Sequence, residues 1–495
     1  MRPLAPPLPR RRLVKPELED LAAVAFVAAG TFALPVWHIV SELTSDSYMT
    51  LYAGRWIAQH GLTHHEVFTL AARGRGWVDQ QWLAQLLAYG AWKLGGYRLL
   101  ALLAAALIGG SFGLLAWWMR RQSTSVVLTI ACASLAFIVT LPSAFIRAEL
   151  FALPLFVTAL IICLADSERE RPGPRLALLL PLLVLWANVH GSVLLGAGLA
   201  SVYGLYRAVQ ALGRAERRTA AALIVFALLA AATPLANPYG TRVVHYYTSL
   251  IGNKVIASGV SEWHAPVFGQ LSFFIFVVPL ALVLASLVAA ARKGHRPPFV
   301  LLVASVAAAV GAGLAARNTV WFGIVGGLLL AETARAWLPT QPPSRGFLTA
   351  LTAAAAAILA AGLITLATRS NDGFQTLTPV KAIGAAYSYA IKHPCAKILA
   401  DDQSSSALLW LYPQLRGRIG FDARLEQYPD PALERWFRFE SADPTNWTDT
   451  IAGYQILVGS SSTSGPLVEE LAQSSTARIL AHDRRGIAVA TGTCA

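Results

Sequence analysis

Charge is scarce in this sequence: Asp, Glu, Lys and Arg make up 14% of its 495 residues, against 55% hydrophobic. An ordinary soluble chain carries about 25% charged residues, so that class is excluded. From Leu176 to Tyr206 there is no Asp, Glu, Lys or Arg at all, and similar uncharged runs recur along the chain. With a mean hydropathy of +0.52, these runs indicate an α-helical protein that crosses a membrane several times. They lack the alternation of apolar and polar residues that a transmembrane β-barrel needs. Cysteine is nearly absent, with four in all. Cys132 and Cys163 fall inside apolar runs as packing residues. Cys395 and Cys494 bracket the less apolar C-terminal part, where a disulfide would staple the chain end to the start of a domain. Also missing are a nucleophile elbow, a phosphate-cradling glycine loop and a Ser/His/Asp set. His60, His64, His65 and Glu66 lie close in sequence, but adjacent histidines point apart and no zinc-like spacing appears.

The charge that is present is unevenly placed. The net charge is +13, and the basic groups lie between apolar runs: Arg10–Arg12 with Lys15, Arg120–Arg121, Arg169–Arg175, Arg207–Arg218, Arg292–Arg296, then Arg335 and Arg345. All of them can sit on the cytoplasmic side, which satisfies the positive-inside rule. The basic balance is therefore topology, with some attraction to anionic lipid, and nucleic-acid binding is set aside. The N-terminal run Leu21–Ser41 is long and lacks a clear small-x-small cleavage site. It reads as an uncleaved first span.

Candidate spans are 21–41, 99–119, 126–146, 150–165, 219–241, 269–291, 297–316, 318–334 and 346–368, with 176–206 as a special region. A single helix over 176–206 would measure roughly 46 Å, well beyond a hydrocarbon core of about 30 Å. A hairpin fits better and keeps the flanking basic groups on one side. Its arms, of about 13–15 residues, are too short for a full crossing. The tip Asn188-Val189-His190-Gly191 then lies below the membrane surface, where irregular backbone must line a cavity or be buried in protein. Asn188 and His190 either face such a cavity or hydrogen-bond neighbouring helices.

The expected fold is an α-helical polytopic membrane protein of about eleven spans with a small C-terminal extracytoplasmic α/β domain. Residues 1–20 form a cytoplasmic tail and 21–368 the transmembrane domain, with a long first outer loop over 42–83 and another over 242–268. Residues 369–495 form the outer domain. Its strand-like pieces are Lys397–Ala400, Arg418–Phe421, Gln455–Val458, Arg478–Ala481 and Ile487–Ala490; its helix-like pieces are Ser406–Leu411, Pro431–Phe437 and Pro466–Gln473. Tyr48, Tyr52 and Trp56 recur at helical spacing, a stripe suited to a membrane interface. Asp422 and Arg424 alternate with Phe421 and Ala423, as a surface ion pair or a contact at a cavity mouth. Asn237-Pro238-Tyr239-Gly240 stops a helix, and Gly109, Gly110, Gly191 and Gly196 suit helix packing.

A carboxylate (Asp46) just past the first span, a long first outer loop with the His60-Gly61 turn, and Trp77-x-x-x-x-Trp82-Leu83 before the second span make one pattern. It continues with Trp186-Ala-Asn188-Val-His190-Gly191, Asn237-Pro238-Tyr239-Gly240, Glu262-Trp263 and Phe421-Asp422-Ala-Arg424. Together these resemble the GT-C glycosyltransferases, polytopic enzymes that use lipid-phosphate-linked sugars, and among them a bacterial branch with a C-terminal extracytoplasmic domain. Each motif is weak alone, and their order carries the resemblance over most of the chain. It implies a glycosyltransferase of the bacterial cytoplasmic membrane, N-terminus inside and C-terminal domain outside, acting in cell-envelope polysaccharide biosynthesis. A sugar would pass from a polyprenyl-phosphate donor to a glycan, lipid or protein acceptor, with inversion.

The resemblance assigns Asp46 as the catalytic base, the alternative being a solvated loop carboxylate. Glu149 and Glu262 compete as a second catalytic acid, or are boundary ion pairs, and Arg147 could partner either. Arg317, beside Asn318 at a hairpin turn, suits a departing phosphate, unless it only anchors its helix. His190, Arg147 and Arg242 support it, and Asn188, Asn318, His64, Trp77 and Trp82 complete the substrate-binding set. No cofactor is certain: Mg²⁺ or Mn²⁺ is the candidate should a cation be used, although the first loop supplies one strong acid where metal-using relatives carry two. Competing classes are a transporter and a non-catalytic assembly protein for lipid-linked saccharides. Polar residues gathered toward one face argue against the transporter, which needs them on both sides of the midplane.

Overall fold

The computed structural model describes residues 17–38, 40, 42–338, 342–443, 447–473 and 477–492. The basic run Arg10–Lys15 and Cys494, the proposed partner of Cys395, lie outside the described residues. Cys395 is disulfide-bonded, whereas Cys132 and Cys163 are free and buried.

The helices are α1 (Leu18–His38), α2 (Ser45–His60), α3 (Trp82–Arg121), α4 (Val126–Thr140), α5 (Ala152–Ser167), α6 (Leu179–Ala187), α7 (Val193–Gly213), α8 (Arg217–Ala232), α9 (Arg242–Ile251), α10 (Lys254–Gly259), α11 (Leu271–Arg292), α12 (Phe299–Leu314), α13 (Thr319–Ala334) and α14 (Arg345–Thr368). The C-terminal part adds α15 (Val380–Lys392), β1 (Ile398–Ala400), α16 (Asp402–Leu411), α17 (Asp430–Glu440), α18 (Trp447–Ile451), β2 (Ile456–Ser460), α19 (Gly465–Ala472), β3 (Arg478–Asp483) and β4 (Gly486–Ala490).

Among the described residues, seven helical segments are long and apolar enough to cross a membrane: 18–38, 82–121, 126–143, 148–167, 217–235, 271–292 and 345–368. Pro174–Ala187 and Phe299–Leu314 are shorter apolar helices. At 40 residues, α3 is too long for one crossing. It breaks at Gly95-Gly96, where Gly96 has φ 64°, a backbone region that disfavours any side chain. A stretch over 82–94 thus precedes the crossing itself. Small residues let the helices touch: a Cβ on Gly109 would lie 2.9 Å from the Ala28 carbonyl oxygen, and one on Gly323 2.8 Å from that of Ala136.

The region 176–206 is a hairpin, with α6 and α7 broken at Asn188–Ser192. Its second arm differs from expectation. α7 runs 21 residues to Gly213, because Arg207, which seemed to end the apolar run, is buried against Asp166 at 3.1 Å. Polar groups gather at the end shared by the α3 and α7 C-termini: Arg120 pairs with Glu19 and Asp20, Arg171 with Glu216, and Arg335 donates to the Gln122 carbonyl.

The C-terminal domain is built on a sheet in the order β1-β2-β4-β3, with β1 parallel to β2 and the other pairs antiparallel. Its residues alternate between two cores, as a period of two demands. Ile398, Ile456, Val458 and Ala488 face the core that contains α15 and α16; Leu399, Leu457, Ile487 and Val489 face that of α17 and α19. Arg418–Phe421 forms no strand of its own, contrary to the sequence expectation. Ile419 instead makes single bridges to Thr69 and Ile398, so this stretch lies between the first loop and the sheet edge. Gly417 N–H donates to the Phe68 carbonyl at 2.7 Å, and Leu70 N–H to that of Ile419 at 2.8 Å.

Candidate active site

The N-terminus of α2 brings the first carboxylate into place. Thr44 caps it, and the Ser47 hydroxyl donates to the Ile146 carbonyl at 2.7 Å. That bond ties α2 to the residue before Arg147. Asp46, in the first turn, therefore faces the α4–α5 connection.

Arg147 collects three acids. Its Nη1 lies 3.7 Å from Asp46 Oδ2 and 3.4 Å from Glu262 Oε2, and its Nη2 pairs with Glu149 Oε2. Both Glu149 and Glu262 take the arginine that either might have held alone. Arg317 joins from the α12–α13 turn, its Nη1 3.5 Å from Glu262 Oε1 and its guanidinium 4.4 Å above the Trp263 ring. Arg147 is 9% exposed, yet Asp46 and Glu262 remain 37% and 40% open, so the cluster is walled by protein but reached by solvent. Burial raises the Asp46 carboxyl above its usual range, against the pull of Arg147. For Glu262 burial pushes the same way, but Arg317 and Arg147 outweigh it and hold the group below its usual range.

The hairpin tip stands beside these arginines. Burial, aided by Arg317 and Arg147, pushes His190 down to about 3, so its ring is neutral at ordinary pH. Ser192 N–H donates to His190 Nδ1 at 3.2 Å, which leaves the ring proton on Nε2. Asn188 has a different task. Its Oδ1 accepts from Trp82 Nε1 at 2.9 Å, while its Nδ2 donates to the Val184 and Ala236 carbonyls. It clamps the hairpin tip to the start of α3 and the end of α8.

The other expected binding residues scatter. Asn318 closes the α12–α13 turn on the Gly311 carbonyl at 3.0 Å. Trp77 is buried beneath Arg424, 4.6 Å from its guanidinium. Arg242 and His64 meet at 3.2 Å in a separate group. Asp422 and Arg424 do not form a surface pair: both are almost wholly buried, and Arg424 donates to Glu66 as well as to Asp422. Tyr52 hydroxyl donates to Asp422 at 2.8 Å, and Tyr48 hydroxyl lies 2.8 Å from Thr378 Oγ1. The aromatic stripe thus packs largely on the C-terminal domain, because rings with one polar tip suit a hydrogen-bonded interior as well as a membrane surface.

Asp402 escaped the sequence reading. Its N–H donates to Glu440, and it bonds Ser45, next to Asp46. Burial is the largest influence on Asp402, raising it to about 7, and Asp46 adds to the rise. The one visible signal was Asp401-Asp402 at the start of a helix-like run. A divalent cation finds no comparable arrangement. Asp46, Glu149 and Glu262 converge on the Arg147 guanidinium, whose positive charge they share. Among the described residues no group of three His, Cys, Asp or Glu is arranged to hold one.

No family model and no curated protein matches the chain, but 24 chains of solved structure do. An oligosaccharyltransferase, AglB of Archaeoglobus fulgidus, bound to an inhibitory peptide and a dolichol-phosphate, superposes with a TM-score of 0.55 at 12% identity. The match covers 90% of this chain and 69% of AglB. The arabinofuranosyltransferase AftD from Mycobacteria gives 0.54 at 13% identity, over 98% of this chain and 40% of AftD. The fold is GT-C-like. Identities this low establish the GT-C-like architecture and nothing finer, so the chemistry has to come from this chain's own residues.

Proposed function

We propose that this GT-C-like protein is an integral-membrane glycosyltransferase that takes a sugar from a polyprenyl-phosphate donor. The basic groups that gather at one end of the bundle support reading that end as cytoplasmic under the positive-inside rule. The Asp46 cluster and the C-terminal domain then face the other side of a bacterial cytoplasmic membrane.

The observation that carries this reading is the pairing of an open, proton-attracting carboxylate, Asp46, with two guanidiniums, Arg147 and Arg317, in one partly desolvated cluster. Transfer needs both functions. Asp46 takes the proton of an acceptor hydroxyl as its oxygen attacks the anomeric carbon. The bond from that carbon to the phosphate oxygen breaks, and the electron pair leaves with the polyprenyl phosphate. Arg317, whose planar fork matches phosphate oxygens, with Arg147 behind it, stabilises the charge that develops. Neutral His190 offers its Nε2 proton to the same oxygens. Glu149 and Glu262 orient the two arginines. A single displacement inverts the anomeric centre, and glycans, lipids and proteins are the acceptor classes.

The test is turnover in liposomes reconstituted with purified protein, a polyprenyl-phosphate sugar and candidate acceptors, wild type against Asp46→Asn. Loss of transfer with intact folding supports the reading. Movement of the intact lipid-linked sugar across the bilayer without glycosidic bond formation would identify a transporter instead.

A further inference from the structure

The face next to the C-terminal domain carries a second concentration of positive charge, and no acid lines it. Arg75, Gly76, Val78, Arg242 and His245 surround a cleft of about 370 Å³. Its walls are held from within. Arg242 Nη1 lies 3.2 Å from His64 Nδ1 and its Nη2 3.5 Å from the His64 carbonyl. A Cβ on Gly76 would come within 3.3 Å of Arg242 Nη2, so the loop backbone lies close against the guanidinium. The loop that carries Arg75 is closed by Glu66 N–H donating to the Arg75 carbonyl at 2.8 Å, and Glu66 is itself locked onto Arg424.

The nearby carboxylates are engaged elsewhere. Glu66 faces Arg424, Asp79 accepts from Gln85 Nε2 at 2.9 Å, and Glu426, on the Tyr246 side of α9, is pushed up to about 7 by burial. The cleft's positive charge is thus left for a ligand. The helix that supplies half of it also fixes its direction. At about 100° per residue, Arg242 and His245 share one face of α9, whereas the exposed Val244 and Ile251 fall on the opposite one. The apolar stripe that would meet lipid is turned away from the cleft. Moreover, α9 passes over the hairpin tip: a Cβ on Gly191 would lie 3.2 Å from the Tyr247 ring, and Gln80 Nε2 is 3.5 Å from Tyr246 hydroxyl. Tyr247 lies about 170° around α9 from the Arg242–His245 face, so the cleft opens on the side of α9 away from the hairpin tip.

We infer that this cleft binds an oxyanion, a carboxylate or phosphate monoester, carried by an acidic sugar. Two guanidiniums grip such groups bidentately, and the imidazole adds a donor. This oxyanion site goes beyond the transferase reading above and does not rest on it.

The experiment measures binding of glucose 6-phosphate, glucuronate and neutral glucose to the full chain in nanodiscs of phosphatidylcholine, with or without phosphatidylglycerol. The two acidic sugars should bind saturably and glucose should not. Arg75→Gln and Arg242→Gln should each weaken binding about tenfold, with circular dichroism and the thermal midpoint unchanged for the exposed Arg75 variant. Asp46→Asn should bind like wild type, which separates failure of this site from failure of the transferase assignment. Equal binding of glucose, or undiminished binding in Arg75→Gln, overturns the proposal. So does loss of acidic-sugar binding when phosphatidylglycerol is present, since that outcome assigns the arginines to a lipid headgroup.

Discussion

Asp46 Oδ2 stands 3.7 Å from Arg147 Nη1, close enough to feel the charge but beyond hydrogen-bond reach. The carboxylate is therefore oriented and electrostatically coupled without being consumed, as a base with a substrate proton to accept must be. Asp46→Asn should lower kcat by roughly 10²–10⁴-fold, the usual contribution of a positioned base, with little change in the thermal midpoint. Because burial raises the Asp46 carboxyl, the acid limb of the kcat/KM profile should fall above the ordinary carboxylate range. A variant with unaltered turnover would remove Asp46 from the reaction.

Arg147 stabilises as well as positions. It is the partner of Glu149, which is 5% exposed. Arg147→Gln leaves that buried charge uncompensated, a loss of about 3–5 kcal/mol for a broken buried pair. Adding Glu149→Gln should restore a large part of the thermal midpoint but none of the turnover. If both single variants and the double variant melt alike, the pair has no coupling.

The bond between Arg424 and Glu66 joins segments 358 residues apart, and the Arg424 guanidinium lies over the Phe68 and Trp77 rings at 4.8 and 4.6 Å. Replacing Arg424 with Gln strands Asp422 and Glu66 in the interior. It should release the C-terminal domain from the first loop, cost about 3–5 kcal/mol, and expose residues 60–80 to limited proteolysis. An unchanged digestion pattern would show that the apolar contacts hold the domain alone.

Which of these relationships the sequence could reveal follows from distance. Asp46, Arg147, Glu149, Glu262 and Arg317 stand out because a charge at the end of an apolar run is costly and therefore conspicuous. Their gathering around the Arg147 guanidinium is not legible, because four separate segments supply them. The hairpin break at Asn188–Gly191 followed from length and charge alone. The extra length of α7 did not, since Arg207 ends the apolar pattern unless Asp166, on another helix, is known to meet it. Asp422 and Arg424 misled for a related reason: alternation in a short stretch suggests a strand face, and nothing local shows that Glu66 closes over them. Tyr48 and Tyr52 have a composition that suits two environments. Only the docked domain decides between them.

Asp79 sets a pH dependence whose sign can be worked out. It is 3% exposed, and burial raises it to about 7, with Glu426 adding to the rise and Arg424 opposing it. Glu426 is likewise raised to about 7, chiefly by burial. In the unfolded chain both carboxyls release their protons near pH 4. Between about pH 4 and pH 7 the folded state therefore holds more protons than the unfolded state, and stability falls as pH rises through that interval. Glu262, held below its ordinary range, acts in the opposite sense at lower pH and is constant here. His190, pushed down to about 3, opposes the fall up to about pH 6.5, while Asp402, raised to about 7, adds to it. Three raised carboxyls therefore outweigh one imidazole. The thermal midpoint in detergent should drop from pH 5 to pH 7 and level off above. Asp79→Asn, whose amide oxygen can still accept from Gln85, should flatten that slope. A midpoint that climbs across the interval, or a slope untouched by the substitution, would show that Asp79 is already ionised in the folded protein.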